Sequence, residues 1–231
     1  MLAEMRRGSG RTTRVALLLV GVVVLVLILA QVFLPGIVAS RISSRVGRYG
    51  KVDSVSVKAW PAVKLLWGDA DSVTVRAESL QGSQEQAAAL LWEGRGLGDM
   101  KLTATSAQVG QLAFSDVSLS KRGSALSVQG RMTDADVRQA LPEGFDAHLV
   151  KSEGGEVELS VSGALFGIGA TVNAVASASE GKLTVRPRGF LIEALQLTLF
   201  AEPHVYVESV SASAEPSEAS VYRVGMVASL R

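Results

Sequence analysis

Cysteine is absent from this chain of 231 residues, and histidine occurs only twice. Without cysteine there can be no disulfide, no thiol nucleophile and no Cys-ligated zinc site. The two histidines, His148 and His204, are far apart in sequence, so a multi-histidine metal site is excluded as well. We therefore predict no metal site and no cofactor.

An excess of charge is also missing, because 23 Lys and Arg side chains are balanced by 22 Asp and Glu side chains. Nucleic-acid binding relies on a basic surface that neutralises phosphates, so we expect no nucleic-acid partner. Aromatic residues make up only 5% of the chain, whereas 48% of it is apolar. Membranes and lipids are the partner classes that this composition leaves open.

Catalytic motifs are equally scarce. The pairs Asp69-Ala-Asp71 and Asp134-Ala-Asp136 have the spacing of a metal-binding DxD, but a turn accounts for the first and helix capping for the second. No nucleophile elbow is present. We predict no catalytic residues and no enzymatic activity.

One long apolar run lies near the N-terminus. No charged residue occurs between Arg14 and Arg41, and residues 15–34 are almost wholly apolar. On a helix they reach about 30 Å, which is the thickness of a bilayer core. A cleaved signal peptide is the alternative, since residues 38–40 loosely resemble a cleavage site, but signal peptides have apolar regions of only about 7–15 residues. We favour an uncleaved signal anchor at 15–34 that spans the membrane once.

The flanking charges leave the orientation of this span nearly undecided. Basic residues stand on both sides of it: Arg6, Arg7, Arg11 and Arg14 before, and Arg41, Arg45, Arg48 and Lys51 after. A short basic start is typical of a segment that stays in the cytoplasm, whereas a long domain can be exported despite its charges. We predict a cytoplasmic tail at 1–14, with the C-terminal domain outside the plasma membrane, in the periplasm.

Residues 35–50 are predicted to connect the span to the domain. Pro35-Gly36 marks the exit from the membrane. The apolar residues that follow recur near helical spacing: Ile37, Val38, Ile42 and Val46. This pattern predicts a short amphipathic helix that ends at Gly47 or Gly50. Such a helix can pack on the domain or lie on the membrane with its arginines near anionic headgroups; we favour packing, and the two roles can coexist.

Residues 51–231 are predicted to form one β-rich domain. Alternation of apolar and polar residues, rich in Val and Thr, indicates about nine or ten half-buried strands. Turns roughly ten residues apart indicate antiparallel hairpins, without a βαβ rhythm. Capping-box spacing predicts a short helix at 83–94. Thr133 as a candidate cap, with acidic residues in the first turn and Pro142 beyond the end, predicts a second at 133–141. The apolar stretch 190–200 fits either a helix or a strand, and it must be buried or occupied by something apolar.

The segment 60–80 has the most unusual composition of this domain. Trp60 and Trp67 flank an apolar run that contains Lys64, and Lys58 precedes it. One interpretation is a core hairpin. The other is an apolar lip with a basic rim, in which Lys58 and Lys64 lie near a lipid headgroup. The predicted lipid-binding residues are Trp60, Leu65, Leu66, Trp67, Phe190, Leu191 and Leu195.

The same segment carries a family resemblance. It is formed by an aromatic-proline pair, two leucines, a glycine and the strand that follows: Trp60, Pro61, Leu65, Leu66, Gly68, Asp71, Val73 and Val75. Together with the single N-terminal span and the later stretch 130–141, this pattern resembles the LmeA-like lipid-binding family of actinobacterial cell envelopes. Where that family commonly has Gly-Phe-Pro, this chain has Ala59-Trp60-Pro61.

The resemblance implies an α+β fold, predominantly antiparallel β, in which a curved sheet surrounds a helix as in tubular lipid-binding and AsmA-type domains. It implies binding or transfer of anionic phospholipid, including phosphatidylinositol-type lipids, in an apolar groove. It also implies a supporting, non-catalytic role in lipoglycan assembly, specifically of lipomannan, beside envelope glycosyltransferases.

Two alternatives from other classes stay open. They are a non-catalytic scaffold that positions envelope biosynthesis enzymes, and an unrecognised hydrolase or transferase. An apolar groove open to solvent favours lipid binding, a flat polar surface favours the scaffold, and a polar cleft with convergent carboxylates favours the enzyme.

Overall fold

The structure is a computed structural model, and it describes residues 9–141, 143–165, 168–188, 196–216 and 218–231. The helices are α1 Ser9–Val46, α2 Gln84–Glu93 and α3 Asp134–Ala140, with short 3-10 turns at Gly47–Tyr49, Ala62–Trp67 and Gly94–Gly96. The strands are β1 Gly50–Lys58, β2 Ser72–Gly82, β3 Asp99–Val109, β4 Leu112–Arg122, β5 Ala125–Thr133, β6 Phe145–Glu153, β7 Glu156–Leu165, β8 Ile168–Ser179, β9 Lys182–Pro187, β10 Leu197–Phe200, β11 Val205–Glu215 and β12 Glu218–Leu230.

These strands form two sheets. The large sheet has the order β1-β2-β3-β4-β5-β12-β11, and the small sheet has the order β10-β9-β8-β7-β6. The predicted class is confirmed, because the fold is mostly antiparallel β with a few helices and an N-terminal apolar helix. Within the described strands neither sheet closes into a barrel.

One connection differs from the prediction. Strands β2 and β3 pair in parallel, and α2 lies between them in the chain. The expectation of no βαβ unit is therefore wrong at this place. Parallel neighbours need a crossover of a dozen or so residues, and α2 with its flanking turns supplies that length.

Local signals decide several element boundaries. Ser83 caps α2 by accepting a hydrogen bond from the N–H of Gln86, whose side chain bonds the N–H of Ser83 in return. Thr133 and Asp136 form the same reciprocal box at α3. Both predicted short helices are confirmed. In the ambiguous stretch 190–200, β10 occupies the last four residues, while 189–195 lie outside the described residues.

A single continuous helix occupies the region where two segments were predicted. α1 runs to Val46 with Pro35 inside it, so the proline does not end the helix. Proline in a helix interior removes one main-chain hydrogen bond, here the one to the carbonyl of Gln31. Packing on both sides of the proline stabilises the helix against this loss. The side chains that pack on the first core cluster are Leu34, Val38, Ala39, Ile42 and Val46. Packing of this segment on the domain is thus confirmed.

The core divides into three apolar clusters. The first lies between α1, β1, β2 and the 3-10 turn at 62–67; the second lies between α2 and strands β5, β11 and β12; the third joins β11 to the small sheet. Helix α2 contacts both the small sheet and α1. Gln84 Nε2 donates to the Leu199 carbonyl of β10 at 2.7 Å, and Glu93 pairs with Arg45 of α1 at 2.6 Å.

Candidate functional site

An apolar row crosses the large sheet from edge to edge. Its members are paired in register, one from each strand: Val55, Val75, Leu102, Leu119, Val128, Met226 and Val210. Residues paired in register lie on the same face of a sheet. The row therefore passes under α1 at one edge and under the small sheet at the other, because Val75 belongs to the first cluster and Val210 to the third.

Burial changes along this row, whose first member, Val55 on the edge strand β1, is half-buried. Val75 is 3% exposed and Val210 is 7% exposed. Leu119 and Val128 are only half-buried, although β4 and β5 are internal strands. Within the described residues, neither of these two side chains packs in the three core clusters. We call the half-buried surface formed by Leu102, Leu119, Val128 and Met226 the central trough.

A β-bulge shapes the trough at β4. Asp116, at φ 50°, and Val117 together oppose the single residue Gly130 of β5. A Cβ at Gly130 would lie 3.5 Å from both Phe114 and Val117. The glycine thus leaves room for two apolar side chains over β5, which extends the apolar lining along the strand.

A buried lysine lies next to the trough on β4, two residues beyond Leu119 and away from the bulge. Lys121 is 1% exposed, and its Nζ donates to the carbonyls of Arg95 at 3.2 Å and Leu97 at 2.5 Å. Burial lowers the pKa of this ammonium, and the nearby carboxylate of Asp99 opposes that shift. Because its acceptors are main-chain carbonyls in the turn after α2, Lys121 fixes that turn to the sheet.

The loop between β1 and β2 carries a second apolar surface. Its 3-10 turn ends at Gly68, at φ 81°. Trp60, Leu66 and Trp67 are 74%, 65% and 74% exposed, whereas Leu65 is 8% exposed and packs in the first cluster. The loop is therefore core on one side and an exposed apolar surface on the other. We call Trp60, Leu66 and Trp67 the tryptophan patch.

Asp71 holds this loop together. Its Oδ2 accepts the N–H of Trp60 at 2.6 Å, and its Oδ1 lies 3.4 Å from Nζ of Lys64. Lys58 is exposed at the end of β1, and its carbonyl accepts the N–H of Asp71 at 2.9 Å. Both predicted headgroup lysines therefore border the tryptophan patch. The described residues contain no group of three His, Cys, Asp or Glu side chains that could hold a metal.

Gln31 joins α1 to the same loop. Its Oε1 accepts the N–H of Ala62 at 2.7 Å, and its Nε2 donates to the carbonyl of Ala59 at 3.1 Å. The side chains of residues 23–29 are all exposed, and Ala30 is the first that is half-buried. Helix α1 therefore leaves the domain at Gln31, next to the tryptophan patch. The sequence signal for this contact was an amide inside an otherwise apolar run.

The structure thus separates the predicted lipid-binding residues. Trp60, Leu66 and Trp67 come together, and Leu65 faces the core. Phe190, Leu191 and Leu195 lie outside the described residues. The residues of the central trough were not predicted, because their strands alternate like every other strand of the domain.

These features define a class of protein. Among the described residues, α1 is long and apolar enough to cross a membrane, and the domain that it carries has a half-buried apolar surface on a mostly antiparallel sheet. Together they are typical of a membrane-anchored lipid-binding protein.

The sequence model of the LmeA-like phospholipid-binding family matches residues 28–221. The chain belongs to that family, which confirms the resemblance carried by residues 60–80. No curated protein and no solved structure matches the chain.

Proposed function

We propose that the protein binds an anionic phospholipid, phosphatidylinositol-type lipids included, with an acyl chain in the central trough. The observation that carries the proposal is the change of burial along the apolar row, which is buried at Val75 and Val210 and half-buried at Leu119 and Val128 between them. Each buried CH₂ group contributes about 0.8 kcal/mol, so some six methylene groups would supply several kcal/mol before ordering costs.

The tryptophan patch would form the mouth of this site on the membrane side, with Leu65 supporting it from the core. Lys58 and Lys64 would lie near the lipid phosphate, and their contribution should weaken in salt. Phe190, Leu191 and Leu195 remain part of the proposed site. Their segment joins β9 to β10, in the sheet that covers one side of the trough.

The proposed role is non-catalytic. In this role the domain lies outside the plasma membrane and either binds phospholipid statically or transfers it, in support of lipoglycan assembly by envelope glycosyltransferases. Membership of a phospholipid-binding family supports the ligand class. Asp71 belongs to one of the two DxD pairs. Its contacts with the N–H of Trp60 and with Lys64 support a structural role for this acid rather than metal binding.

A matched pair of variants tests this function. Leu119 faces the trough, and its neighbour Ser118 is exposed and paired with Gln129 rather than with a residue of the row. The full-length protein, purified in mild detergent, should carry phospholipid that mass spectrometry detects. Leu119→Asp should remove that lipid, and Ser118→Asp should retain it.

Circular dichroism of both variants keeps the result interpretable. A folded Leu119→Asp protein with undiminished lipid would contradict the trough as the site. If Leu119→Asp fails to fold, Val128→Thr replaces a single methyl group on the same surface by a hydroxyl and should still reduce the bound lipid. A wild-type protein that carries no phospholipid would favour the scaffold role.

A further inference from the structure

We propose that the tryptophan patch is embedded in the bilayer beside α1, so that the domain is seated on the membrane at a fixed depth. The embedded surface, which we call the collar, combines the patch with the neighbouring outer face of α1. Its residues are Trp60, Leu66, Trp67, Val32, Phe33 and Ile37. The lipid bilayer itself is the partner, and this seat does not depend on capture of a single phospholipid in the trough.

The length of the free part of α1 is the first argument. From Val15 to Ala30 there are sixteen residues before Gln31 binds the loop. A helix of that length reaches about 24 Å, whereas the hydrocarbon core of a bilayer is about 30 Å thick. Residues beyond Gln31, where α1 is already docked on the loop, are uncharged as far as Arg41 and supply the missing length of about 6 Å. The hydrocarbon therefore extends to the level of the tryptophan patch.

The surface of α1 beyond Gln31 is also apolar, as a position in the hydrocarbon requires. Val32, Phe33 and Ile37 are 67%, 61% and 50% exposed, even though the opposite side of the helix packs on the domain. The first charge after the span is Arg41, ten residues after Gln31 and so about 15 Å farther along the helix. Apolar surface next to a membrane span, without charge, is suited to lipid rather than to water.

The polar groups of the loop are satisfied at this depth. Gln31 uses both its amide oxygen and its amide nitrogen on the main chain of Ala59 and Ala62. Within the turn, the N–H of Lys64 bonds the Pro61 carbonyl at 3.1 Å, and the N–H of Gly68 bonds the Leu65 carbonyl at 3.2 Å. Such pairing matters because an unpaired polar group in hydrocarbon is costly.

The chemistry of the patch matches the boundary between hydrocarbon and headgroups. Tryptophan is enriched at this depth, because its ring is apolar while its N–H can reach polar groups. Lys58 and Lys64 border the patch and can extend their charges toward anionic headgroups while their stems stay in apolar surroundings.

Tryptophan fluorescence tests the collar directly, since the chain has three tryptophans. Trp92 is the internal control, because it lies on α2 and stacks on His204 at 4.0 Å. The full-length protein is reconstituted into phosphatidylcholine–phosphatidylglycerol vesicles that contain lipid brominated either near the carbonyl end or near the middle of the acyl chain. Trp92→Phe leaves only Trp60 and Trp67 as emitters, and the double variant Trp60→Phe/Trp67→Phe leaves only Trp92.

In Trp92→Phe we expect brominated lipid to quench most of the tryptophan emission. Quenching should be stronger when the bromine is near the carbonyl end of the acyl chain, and it should rise steadily with the fraction of brominated lipid. The double variant should lose little. Equal, weak quenching in both variants would overturn the collar. The same result is expected if the tryptophan patch is buried between two copies of the chain, where brominated lipid cannot reach it. Quenching that saturates at about one brominated lipid per protein, and disappears in Leu119→Asp, would instead place the tryptophans on a captured lipid.

Discussion

The edge and the centre of the large sheet share one apolar row but differ in what covers it. At the edge, Val75 lies under α1 and is 3% exposed, while at the centre Val128 occupies the same row and is half-buried. The residue type is the same in both places, so the difference comes from the covering element. Exposure of the row is therefore decided by where the helix and the small sheet stop, rather than by the composition of the strands, and the proposed lipid site depends on that exposure.

The largest expected effect comes from placing a carboxylate at each of these two valines. Val75→Asp should prevent folding, because an unpaired buried carboxylate costs several kcal/mol, comparable with the whole stability of a domain. Val128→Asp should fold, because its carboxylate can reach water, but it should lose bound phospholipid. Circular dichroism and lipid extraction of the purified full-length variants measure both outcomes. Unfolding of both variants would mean that the centre is as closed as the edge.

The loop offers the same comparison between adjacent leucines. Leu65→Ala should cost about 2–5 kcal/mol, the usual range for truncating a buried leucine. Leu66→Ala should stay within about 0.5 kcal/mol, because a surface substitution rarely does more. Urea unfolding of the two variants in the same detergent gives the difference. Equal losses would contradict the assignment of Leu66 to an exposed surface.

Sequence reasoning recovered the elements better than the site. Alternation and helix-capping signals predicted the hairpins and helices because those signals are local: the Ser83 cap with Gln86, and the Thr133 cap, act within one helical turn. The parallel pairing of β2 with β3 was missed because it depends on where α2 returns the chain.

At the site, Trp60, Leu66 and Trp67 belonged to the seven predicted lipid-binding residues, and the structure shows that all three are exposed on one loop. Leu65 has the same local signal as Leu66, and only the packing of α1 on the loop distinguishes them. The central trough left no sequence signal, since Leu119 and Val128 alternate as buried residues do, and their partial exposure depends on distant elements.

A third test concerns the charge within the covered part of the sheet. Burial lowers the pKa of Lys121, so the unfolded chain holds this proton more tightly than the folded domain. In the pH range between the lowered pKa and the ordinary value of 10.5, the free energy of unfolding should therefore rise with pH. Lys121→Met should remove that rise and leave the carbonyls of Arg95 and Leu97 without their donor.

Urea unfolding from neutral to alkaline pH, compared between wild type and Lys121→Met, measures this contribution. Lys101→Met is the matched control, because Lys101 lies on the neighbouring strand β3 and is exposed. A difference that stays constant with pH would show that Lys121 is fully charged throughout and acts only as a hydrogen-bond donor.

The smallest expected effect concerns how firmly α2 is held on strands β5, β11 and β12 compared with α1 on the first cluster. α1 contributes a row of apolar side chains to the first cluster, whereas α2 has one fully buried residue, Ala88, and meets α1 through the ion pair of Arg45 with Glu93.

Both charged side chains of this ion pair are more than half exposed, at 57% and 56%. Exposed pairs contribute about 0.2–1 kcal/mol and are screened by salt. A double-mutant cycle with Arg45→Gln and Glu93→Gln should therefore give a coupling free energy below about 1 kcal/mol that vanishes in high salt. A larger coupling that persists in salt would contradict this expectation and would show that the ion pair links α2 firmly to α1 despite its exposure.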